Sequence, residues 1–564
     1  MASPGAVVRP ACLILPILVV LLPLLPPETR GESMAGTAAL IALLALLVRP
    51  AEGDAPRALL LGLALSAASA TFLYPASAAG PLVVAILAAA VGIHSAALPS
   101  AFLTGPVVPA ALAGAGAWVS LHAVVQKIWG LRVLAEQVRS SHGVPDRDAI
   151  LSRLAEGRAF ANFPTPAALG GFLGIALPVT LGLAFRSGRR ARIFVLAAGV
   201  LEVAGILCAA SATAAVALLF ALALAGMSRK VSRGLLVAGA AALVVVVVSI
   251  AMLRGGEVLD RDHPGSPWAL RAGNFRAAWA MAVDHPWTGV GPGGFGTALP
   301  RYLREGDNET RYAHDLPLQL AAETGLPAAG VLSILFFALF VGPVLSRRGP
   351  PGPPWVNGAR VGLAAFAVQN LADFTAFLPS LLWLAAALRG TLSSVEAKEP
   401  IPTPSIGGTI RWPLLAGVVA AAALSAPAGL AWNARVEARE ELASGDLAAA
   451  VGSARRAARL VPWDAEARVA LAEALLARSA ATLGARPELR EGLSEADRAV
   501  ALDPIRPGAR DVRARVRFAA GDLAGAYADL VEAARLYPLR REYARRRDQA
   551  ATALRVRSAP EARP

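Results

Sequence analysis

Two side chains in one polar stretch of this sequence have the chemistry of a reaction site. Arg271 carries a planar guanidinium group, which pairs with phosphate or carboxylate oxygens through two parallel hydrogen bonds. His314 carries an imidazole, whose ordinary pKa of about 6.5 lets it accept a proton at neutral pH. Both residues lie between Arg254 and Leu326. These residue types predict anion binding and proton removal within one loop.

The composition of the chain indicates what surrounds this loop. Of its 564 residues, 55% are apolar and only 17% are charged, and the mean hydropathy is +0.53. So few polar groups cannot cover the surface of a soluble protein of this length. The sequence therefore predicts a polytopic membrane protein whose spans hold the polar loop at a membrane surface.

Apolar runs between short polar segments predict the membrane spans. The runs lie near 11–25, 35–48, 58–74, 79–98, 102–125, 167–185, 191–208, 212–228, 234–253, 326–346, 361–376, 377–389 and 413–432. Several are shorter than the ~20 residues that a perpendicular helix needs to cross ~30 Å of hydrocarbon, so we expect tilted hairpins or half-spans among them. The prediction is an all-α bundle of about 12–13 transmembrane helices, the first of them uncleaved because no small-residue cleavage site follows it.

Basic residues in the short loops predict the orientation of the spans, because lysine and arginine resist translocation. They fall in alternate loops, at Arg49 and Arg57, at Arg186, Arg189, Arg190 and Arg192, at Arg229, Lys230 and Arg233, and at Arg347, Arg348 and Arg360. Those loops are expected in the cytoplasm. Segment 126–166, the loop 254–325 (the outer loop below) and the region after residue 432 then lie outside it, where ATP is absent.

The region after Trp432 changes to an Ala, Arg, Glu and Leu composition with an internal repeat. A Gly-Asp pair begins at Gly445 and recurs 76 residues later at Gly521, and alanine, arginine, leucine and proline follow both pairs at equal distances. Pro504 marks a middle unit, and the 34 residues from it to Pro538 are the tetratricopeptide period. We predict three tetratricopeptide-type repeats.

The change of composition divides the chain into two predicted domains. A membrane domain covers residues 1–432 and a helical-repeat domain covers residues 433–564. Stacked repeats of this kind usually bind a peptide or protein, so an envelope protein partner is one expectation. A spacer without a ligand is the alternative, because function does not follow from fold.

Other classes of function find little support in the sequence. The net charge of +14 does not predict nucleic-acid binding, because most arginines lie in short loops beside apolar runs or in the C-terminal region. Cys12 and Cys208 fall within apolar runs, which argues against a disulfide framework. No residue cluster has metal-ligand spacing, so we expect no metal and no other cofactor.

Charged side chains inside apolar runs are costly and usually face the interior of a helix bundle. Glu202 lies in such a run and is expected either to face the interior or to pair with another helix. Asp373, with Gln369 and Asn370, is expected near the outer end of its run, where these residues would line the acceptor side of a cavity.

Four motifs follow one another in a fixed order along the membrane domain. They are Arg158-Ala-Phe160-Ala-Asn162-Phe-Pro164, Arg271 with Phe275, HPWTGVGPGGF at 285–295, and His314 ahead of Glu323-Thr324-Gly325. Together they resemble the signature of the O-antigen ligase/polymerase superfamily, whose members are polytopic glycosyltransferases. The resemblance covers about residues 30–390.

Two positions depart from the family pattern. The family's His-Asn pair is His314-Asp315 in this chain, and the Ser-Arg often found near the start of a later span is replaced by Ser211-Ala212-Thr213. If the asparagine contacts substrate in relatives, Asp315 puts that contact in doubt.

The resemblance implies a donor, a glycan on a polyprenyl diphosphate bound at the membrane surface. Breaking its sugar–phosphate bond leaves negative charge on a pyrophosphate, which guanidinium groups can pair. His314 and Arg271 are then the expected catalytic residues, with His314 as the base for the attacking hydroxyl. The expected contacts to pyrophosphate or acceptor are Arg158, Arg276, Asp315 and Asp373.

The predicted protein is an all-α transmembrane bundle similar to the C-type glycosyltransferases, with helices of the outer loop over a lateral cavity and external repeats. Its predicted function is transfer or polymerisation of lipid-diphosphate-linked oligosaccharide at the outer face of the bacterial inner membrane. The acceptor is open among lipid A core, a growing polysaccharide and a protein hydroxyl. A flippase or transporter is one alternative function, and a noncatalytic scaffold for envelope assembly is another.

Overall fold

The computed structural model describes residues 106–140, 147–227, 244, 267–346, 353–396, 427, 430–482 and 486–558. Within these ranges 81% of the residues are helical and there is no strand, which confirms the all-α prediction. The helices of the membrane domain and outer loop are α1 (Val107–Val125), α2 (Leu131–Ser140), α3 (Arg147–Ala155), α4 (Pro166–Ala184), α5 (Arg189–Ala209), α6 (Ala212–Met227), α7 (Pro267–Asp284), α8 (Phe295–Ala298), α9 (Leu316–Thr324), α10 (Leu326–Phe340), α11 (Gly342–Leu345), α12 (Pro354–Gln369) and α13 (Pro379–Glu396).

Three helices in the described part of the chain are long and apolar enough to cross a membrane. They are the continuous helix Val107–Ser140, α4 and α5, while α6 and α10 are apolar but shorter. The predicted runs before residue 99, and most of those at 234–253 and 413–432, lie outside the described residues. The number of 12–13 spans therefore stays a prediction.

Two predicted spans have the wrong boundaries, and one of them is the run at 377–389, where α13 begins at Pro379 and ends at Glu396. The sequence predicted a run at 361–376, whereas α12 begins at Pro354 and ends at Gln369. Arg360, which was assigned to a cytoplasmic loop, lies inside this helix, where it is 4% exposed and donates to Asn357 Oδ1 at 2.7 Å. A buried, hydrogen-bonded arginine lowers the local hydropathy without ending the helix. Because α12 ends earlier than predicted, residues 370–378 form a turn rather than part of a span.

The centre of the membrane domain is the contact between α4 and α12, with α1, α5 and α6 also packed on α4. The two backbones approach closely because glycines stand between them. A Cβ atom on Gly358 would overlap the carbonyl oxygen of Pro178, and one on Gly362 would lie 2.7 Å from that of Ile175. Small residues four positions apart commonly pack membrane helices in this way. This contact holds the end of α12, where the polar turn begins.

One carboxylate lies among the bundle helices. Glu202 on α5 is completely buried and accepts a hydrogen bond from Thr180 Oγ1 of α4 at 2.9 Å. Gly116 on α1 leaves space for it, because a Cβ atom there would overlap Glu202 Oε1. Glu202 meets both expectations, because it faces the interior of the bundle and pairs with another helix.

The described outer loop is a compact helical layer. α7 packs on α9, and a small cluster of Ala282, Ala321 and Ala329 joins both helices to α10. Gly289 has a φ of +61°, and a Cβ atom there would overlap the backbone of Glu323. Only glycine combines that conformation with so close an approach. The glycine-rich motif and the Glu-Thr-Gly motif are therefore two sides of one contact.

The C-terminal region consists of helices that pack against their neighbours in sequence. A helical segment at 430–444 is followed by α14 (Leu447–Leu460), α15 (Ala465–Ala481), α16 (Arg486–Leu502), α17 (Pro507–Ala519), α18 (Leu523–Leu536) and α19 (Arg541–Ser558). The two Gly-Asp pairs found in the sequence form equivalent turns. Gly445 and Gly521 both have a φ of +84°, and the aspartate after each caps the next helix. The assignment of these helices as tetratricopeptide repeats stays a prediction.

Candidate functional site

His314 lies in the turn before α9, where its ring contacts Phe374 edge-on at a centroid distance of 4.8 Å. The Tyr312 ring stacks on the same phenylalanine at 4.6 Å, and the Leu316 N–H donates to the Asn370 carbonyl at 2.8 Å. The φ of His314 is +63°, a conformation that few residues other than glycine adopt. These contacts fix the outer loop on the turn that follows α12.

Asp373 lies beside the His314 ring and is 1% exposed. Its Oδ1 is 3.9 Å from His314 Nδ1 and accepts a hydrogen bond from the Phe374 N–H at 2.9 Å. Its Oδ2 accepts hydrogen bonds from Thr213 Oγ1 at 3.3 Å and from Gln369 Nε2 at 3.4 Å. The structure turns the buried carboxylate toward the imidazole, and the acceptor contact that the sequence predicted for Asp373 stays a prediction.

The surroundings of His314 favour a neutral imidazole. Burial lowers its pKa, the negative charge of Asp373 raises it and the positive charge of Arg271 lowers it, with a net shift below the ordinary value of 6.5. Nδ1 is buried and makes no hydrogen bond with the described residues. A neutral imidazole with Nδ1 facing a carboxylate is most stable with its hydrogen on Nδ1, which leaves Nε2 as an acceptor. This is the form required of a base.

The two predicted arginines of α7 lie in different surroundings. Arg271 shares a helix face with Phe275, four residues later. Arg276 stands five residues after Arg271 and therefore points about 140° away from it. Arg276 forms an ion pair with Asp307 within the outer loop. The structure therefore brings the charge of Arg271 to His314 and gives Arg276 a protein partner. The ion pair with Asp307 explains the position of Arg276 without a substrate, and a substrate contact for this arginine stays a prediction.

Arg158, in the segment between α3 and α4, contacts the C-terminal end of α5. Its Nε donates to the Ala209 carbonyl at 3.2 Å, and its NH1 donates to Glu156 Oε2 at 3.5 Å. Thr213, at the start of α6, donates to Asp373. Arg158 contacts the last residue of α5 and Asp373 contacts the start of α6, so this arginine belongs to the same end of the bundle as the imidazole.

Gln126 shapes the segment that carries Arg158. It begins the π-helical turn Gln126–Gly130 between α1 and α2, and its Oε1 accepts from the N–H groups of Phe160 at 2.8 Å and Ala161 at 2.7 Å. Ala161 has a φ of +48°, which this double anchor stabilises. π-Helical turns often occur at functional sites, and the sequence motif did not include this glutamine.

Asp315 is the N-cap of α9, where its side chain accepts from the Leu318 N–H at 2.7 Å. Burial raises the pKa of Asp315 more than this hydrogen bond lowers it. Aspartate and asparagine are equally good N-caps. The replacement of the family's asparagine therefore preserves the cap, and the structure explains Asp315 without a substrate contact, which stays a prediction.

Sequence reasoning missed three polar side chains that hold this site. Thr213 donates to Asp373, which lies 160 residues later in the chain. Gln319 and Glu323, on α9, are almost completely buried and bonded to each other. Glu323 was noticed only as part of a motif, without a role. The contact of Thr213 with Asp373 leaves no local pattern in a sequence, whereas Gln319 and Glu323 stand four residues apart on one helix, a spacing that could have indicated their contact.

The repeat domain contacts the outer loop next to the site. Arg506 Nη2 donates to Thr297 Oγ1 at 3.3 Å, and the Tyr537 hydroxyl donates to Glu309 Oε1. Arg311 Nη2 lies 4.0 Å from Glu466 Oε1. Leu303 of the loop packs beside Tyr537 and Tyr543. Arg311 precedes His314 by three residues, so these contacts reach the segment that carries the imidazole.

Fold and site together define a class of protein. Apolar helices long enough to cross a membrane support a loop-borne histidine, a buried aspartate and two arginines at one end. Residues 193–333 match the domain family described as O-antigen ligase, which supports the O-antigen ligase superfamily for this part of the chain. This domain supports an integral membrane protein with a ligase-like function in glycan assembly. Comparison with curated proteins gives no match.

The extent of the match separates what is supported from what is predicted. It includes Arg271, His314 and Asp315, and it does not reach Arg158 or Asp373. The resemblance expected over residues 30–390 is thus supported over its central part. The roles of individual residues, the acceptor and the nature of the repeats are outside this match.

Proposed function

We propose that this protein transfers or polymerises an oligosaccharide carried on polyprenyl diphosphate, at the outer face of the cytoplasmic membrane. The observation that carries the proposal is the His314 imidazole, 3.9 Å from the buried Asp373 carboxylate. His314 lies in the segment that matches a glycan-assembling superfamily, and Asp373 lies in the turn after α12. The lipid of the donor would lie in the membrane, with its pyrophosphate at the polar turn.

His314 acts in this proposal as the general base. The acceptor hydroxyl oxygen attacks the anomeric carbon of the donor, and its proton passes to Nε2 of the imidazole. The resulting imidazolium is stabilised by Asp373, whose fixed negative charge favours the protonated form. A positioned base of this kind typically contributes on the order of 10²–10⁴ in rate.

Arg271 and Arg158 act on the leaving group. The bond between the anomeric carbon and the phosphate oxygen breaks, and its electron pair stays on the departing polyprenyl diphosphate. Guanidinium groups stabilise that charge through two parallel hydrogen bonds each. Because the arginines supply the positive charge, the proposed reaction is independent of a metal ion.

The repeats choose or tether the acceptor in this proposal. Their contacts with Thr297, Glu309 and Arg311 support a location on the same side of the membrane as the outer loop. The region after residue 432 contains no histidine. Deletion of 440–564 should therefore preserve cleavage of the donor while changing acceptor choice or polymer length. Loss of donor cleavage in a folded truncation would instead give the repeats a catalytic part.

The direct test uses purified protein in lipid bilayers with a labelled polyprenyl-diphosphate glycan and each candidate acceptor. The wild type should label one acceptor, and His314→Ala should transfer about 10²–10⁴-fold more slowly while still binding donor. His285→Gln is the matched control, because His285 lies in the same loop and is only partly buried. Its transfer should stay near the wild-type rate.

The same experiment decides between the proposal and its alternatives. A flippase would move labelled donor across the bilayer without breaking the sugar–phosphate bond, and a scaffold would do neither. Unchanged transfer in a well-folded His314→Ala protein would remove the histidine from the reaction.

A further inference from the structure

Glu323 has an unusual environment for a carboxylate. It is 4% exposed, and its Oε1 accepts hydrogen bonds from Gln319 Nε2 at 2.7 Å and from the Phe295 N–H at 3.4 Å. The Gly293 N–H also bonds to this carboxylate. Three donors thus converge on one group, and only a side chain that accepts without donating satisfies all of them.

Gln319 connects Glu323 to the segment that carries His314. It stands one helical turn before Glu323 on α9, where side chains four positions apart meet. Its Nε2 donates to Glu323, and its Oε1 accepts from the Ala313 N–H at 2.5 Å. Because an amide has one donor end and one acceptor end, the carboxylate fixes which end faces Ala313.

Ala313 directly precedes His314, whose backbone φ of +63° is costly for a residue with a Cβ atom. Such a conformation persists only where its surroundings hold it. The hydrogen bond from Ala313 to Gln319 holds the backbone on one side of the histidine, and the cap formed by Asp315 holds it on the other. Together they direct the imidazole toward Asp373.

We infer that Glu323, acting through Gln319, is a positioning residue that holds His314 in line with Asp373. This inference rests on the proposed function, in which His314 is the base. It gives the Glu-Thr-Gly motif a part in the reaction, because the carboxylate joins the glycine-rich loop to the residue before the base. Glu323 itself does not touch the substrate.

The chain of hydrogen bonds allows an exchange test. Glu323→Gln leaves one acceptor oxygen for three donors, because an NH2 group takes the place of the second carboxylate oxygen. One of the three donors then faces this NH2 group or lacks an acceptor. Combined with Gln319→Glu, the hydrogen bonds are restored. A carboxylate at 319 then accepts from Ala313 and from the new amide, whose oxygen accepts from the Gly293 and Phe295 N–H groups. The exchange variant therefore preserves the network with its ends reversed.

In the bilayer transfer assay, Glu323→Gln should lower kcat on the order of tenfold to a hundredfold, as misplacement of a reacting group does. The donor KM should change little. The acid limb of the pH–rate profile should shift to lower pH, because an imidazole that turns away from Asp373 keeps the burial that lowers its pKa and loses the negative charge that raises it. The exchange variant should restore kcat and the acid limb. A residue that only stabilised the loop would reduce the yield of folded protein and leave both quantities unchanged.

Thr324→Val is the matched control, because Thr324 Oγ1 donates to the Leu320 carbonyl of the same helix at 2.8 Å and bonds to no other described residue. It should behave as the wild type. Folded Glu323→Gln protein with unchanged kcat and acid limb would overturn the inference, and so would an exchange variant that folds but stays as slow as Glu323→Gln. If the exchange variant does not fold, Gln319→Ala must shift the acid limb as Glu323→Gln does, and an unchanged limb refutes the relay.

His314→Ala separates the two proposals. Full transfer in that variant would refute the proposed base and with it the positioning role. Loss of transfer in His314→Ala with wild-type behaviour in Glu323→Gln would refute the positioning role alone.

Discussion

The site and the repeat domain hold their buried carboxylates in opposite ways. In the site, Asp373 accepts from a hydroxyl, an amide and a backbone N–H, all of them neutral. In the repeats, Asp529 is 2% exposed and accepts from Arg513 at 2.5 and 2.8 Å and from Arg517 at 2.9 Å. The Asp373 carboxylate is held by neutral hydrogen-bond donors, whereas the charge of the Asp529 carboxylate is neutralised by two arginines.

Glu466 shows the repeat pattern at the contact with the outer loop. Burial raises its pKa, but the positive charges of Arg506, Arg435 and Arg311 outweigh burial and lower the pKa to about 2. The opposite balance holds at Glu323, where burial outweighs hydrogen bonds from neutral donors and raises the pKa to about 7.

The difference shows where each region uses its charges. A carboxylate paired with arginine contributes to holding helices together, and its field is largely cancelled nearby. A carboxylate held by neutral donors keeps its field, which at Asp373 acts on the imidazole. Changes to the paired carboxylates should therefore affect folding, and changes at Asp373 should affect the reaction.

The largest expected effect is that of Asp373→Asn. The amide keeps the shape of the side chain but removes the charge that stabilises the imidazolium, so transfer should fall on the order of 10²–10⁴-fold. Because Asp373 raises the pKa of His314, the acid limb of the residual activity should move to lower pH. Bilayer transfer assays over a range of pH measure both effects.

Arg271→Gln provides the opposite shift. The charge of Arg271 lowers the pKa of His314, so its removal should move the acid limb to higher pH. If the acid limb moved in the same direction in Asp373→Asn and Arg271→Gln, these two charges would not act on the imidazole. The proposed difference between the site and the repeat domain would then be wrong for the site.

The parts of this site that the sequence predicts are those with local patterns. Arg271 and His314 stand in motifs, and the Gly-Asp pairs at Gly445 and Gly521 predict the turns that the structure contains. Hydropathy alone also predicts α4 and α5 to within about two residues. Each of these features depends on neighbours in the chain.

The rest depends on contacts between distant segments. The prediction began the span of α12 too late, because a buried Arg360 reads as a loop residue in a hydropathy pattern, and it also ended the span seven residues beyond Gln369. That error placed Asp373 within a span rather than in a turn. The link of Thr213 to Asp373 and the turn of Arg276 toward Asp307 follow from packing, which no single stretch of sequence records.

The next effect concerns the folding of the repeats. Asp529→Ala leaves the guanidinium of Arg513 without its buried partner, and loss of one partner of a buried pair typically costs about 3–5 kcal/mol. Hydrogen exchange in α17 and α18 of the full-length protein should rise strongly, while donor cleavage per folded molecule stays unchanged. Glu532→Ala is the control, because its pair with Arg535 is largely exposed and such pairs contribute about 0–1 kcal/mol. Lost donor cleavage in folded Asp529→Ala protein would contradict the division between the regions.

A smaller effect is expected where the regions meet. Thr297→Val with Tyr537→Phe removes two hydrogen bonds between loop and repeats, each of which contributes about 0.5–1.5 kcal/mol. Exchange of the segment 297–311 should increase about tenfold, and acceptor preference should change more than donor cleavage. Tyr527→Phe, at an exposed tyrosine of α18, serves as the control. Unchanged exchange in the double variant would show that these contacts do not hold the loop.

The smallest effect is expected from Arg276→Lys, which sharpens the comparison inside the loop itself. Arg276 pairs with Asp307, and both side chains retain solvent contact, at 35% and 11% exposure. A lysine keeps the charge that this pair needs, so stability should change by less than about 1 kcal/mol and transfer should stay near the wild-type rate.

Arg271→Lys is the matched change one and a half turns earlier on α7, and it loses the planar guanidinium group that holds a diphosphate through two parallel hydrogen bonds. Transfer should therefore remain impaired in Arg271→Lys although the charge is kept. Equal impairment of the two variants in the same assay would place Arg276 on the substrate as well, and Asp307 would then be a partner that it gives up when the donor binds.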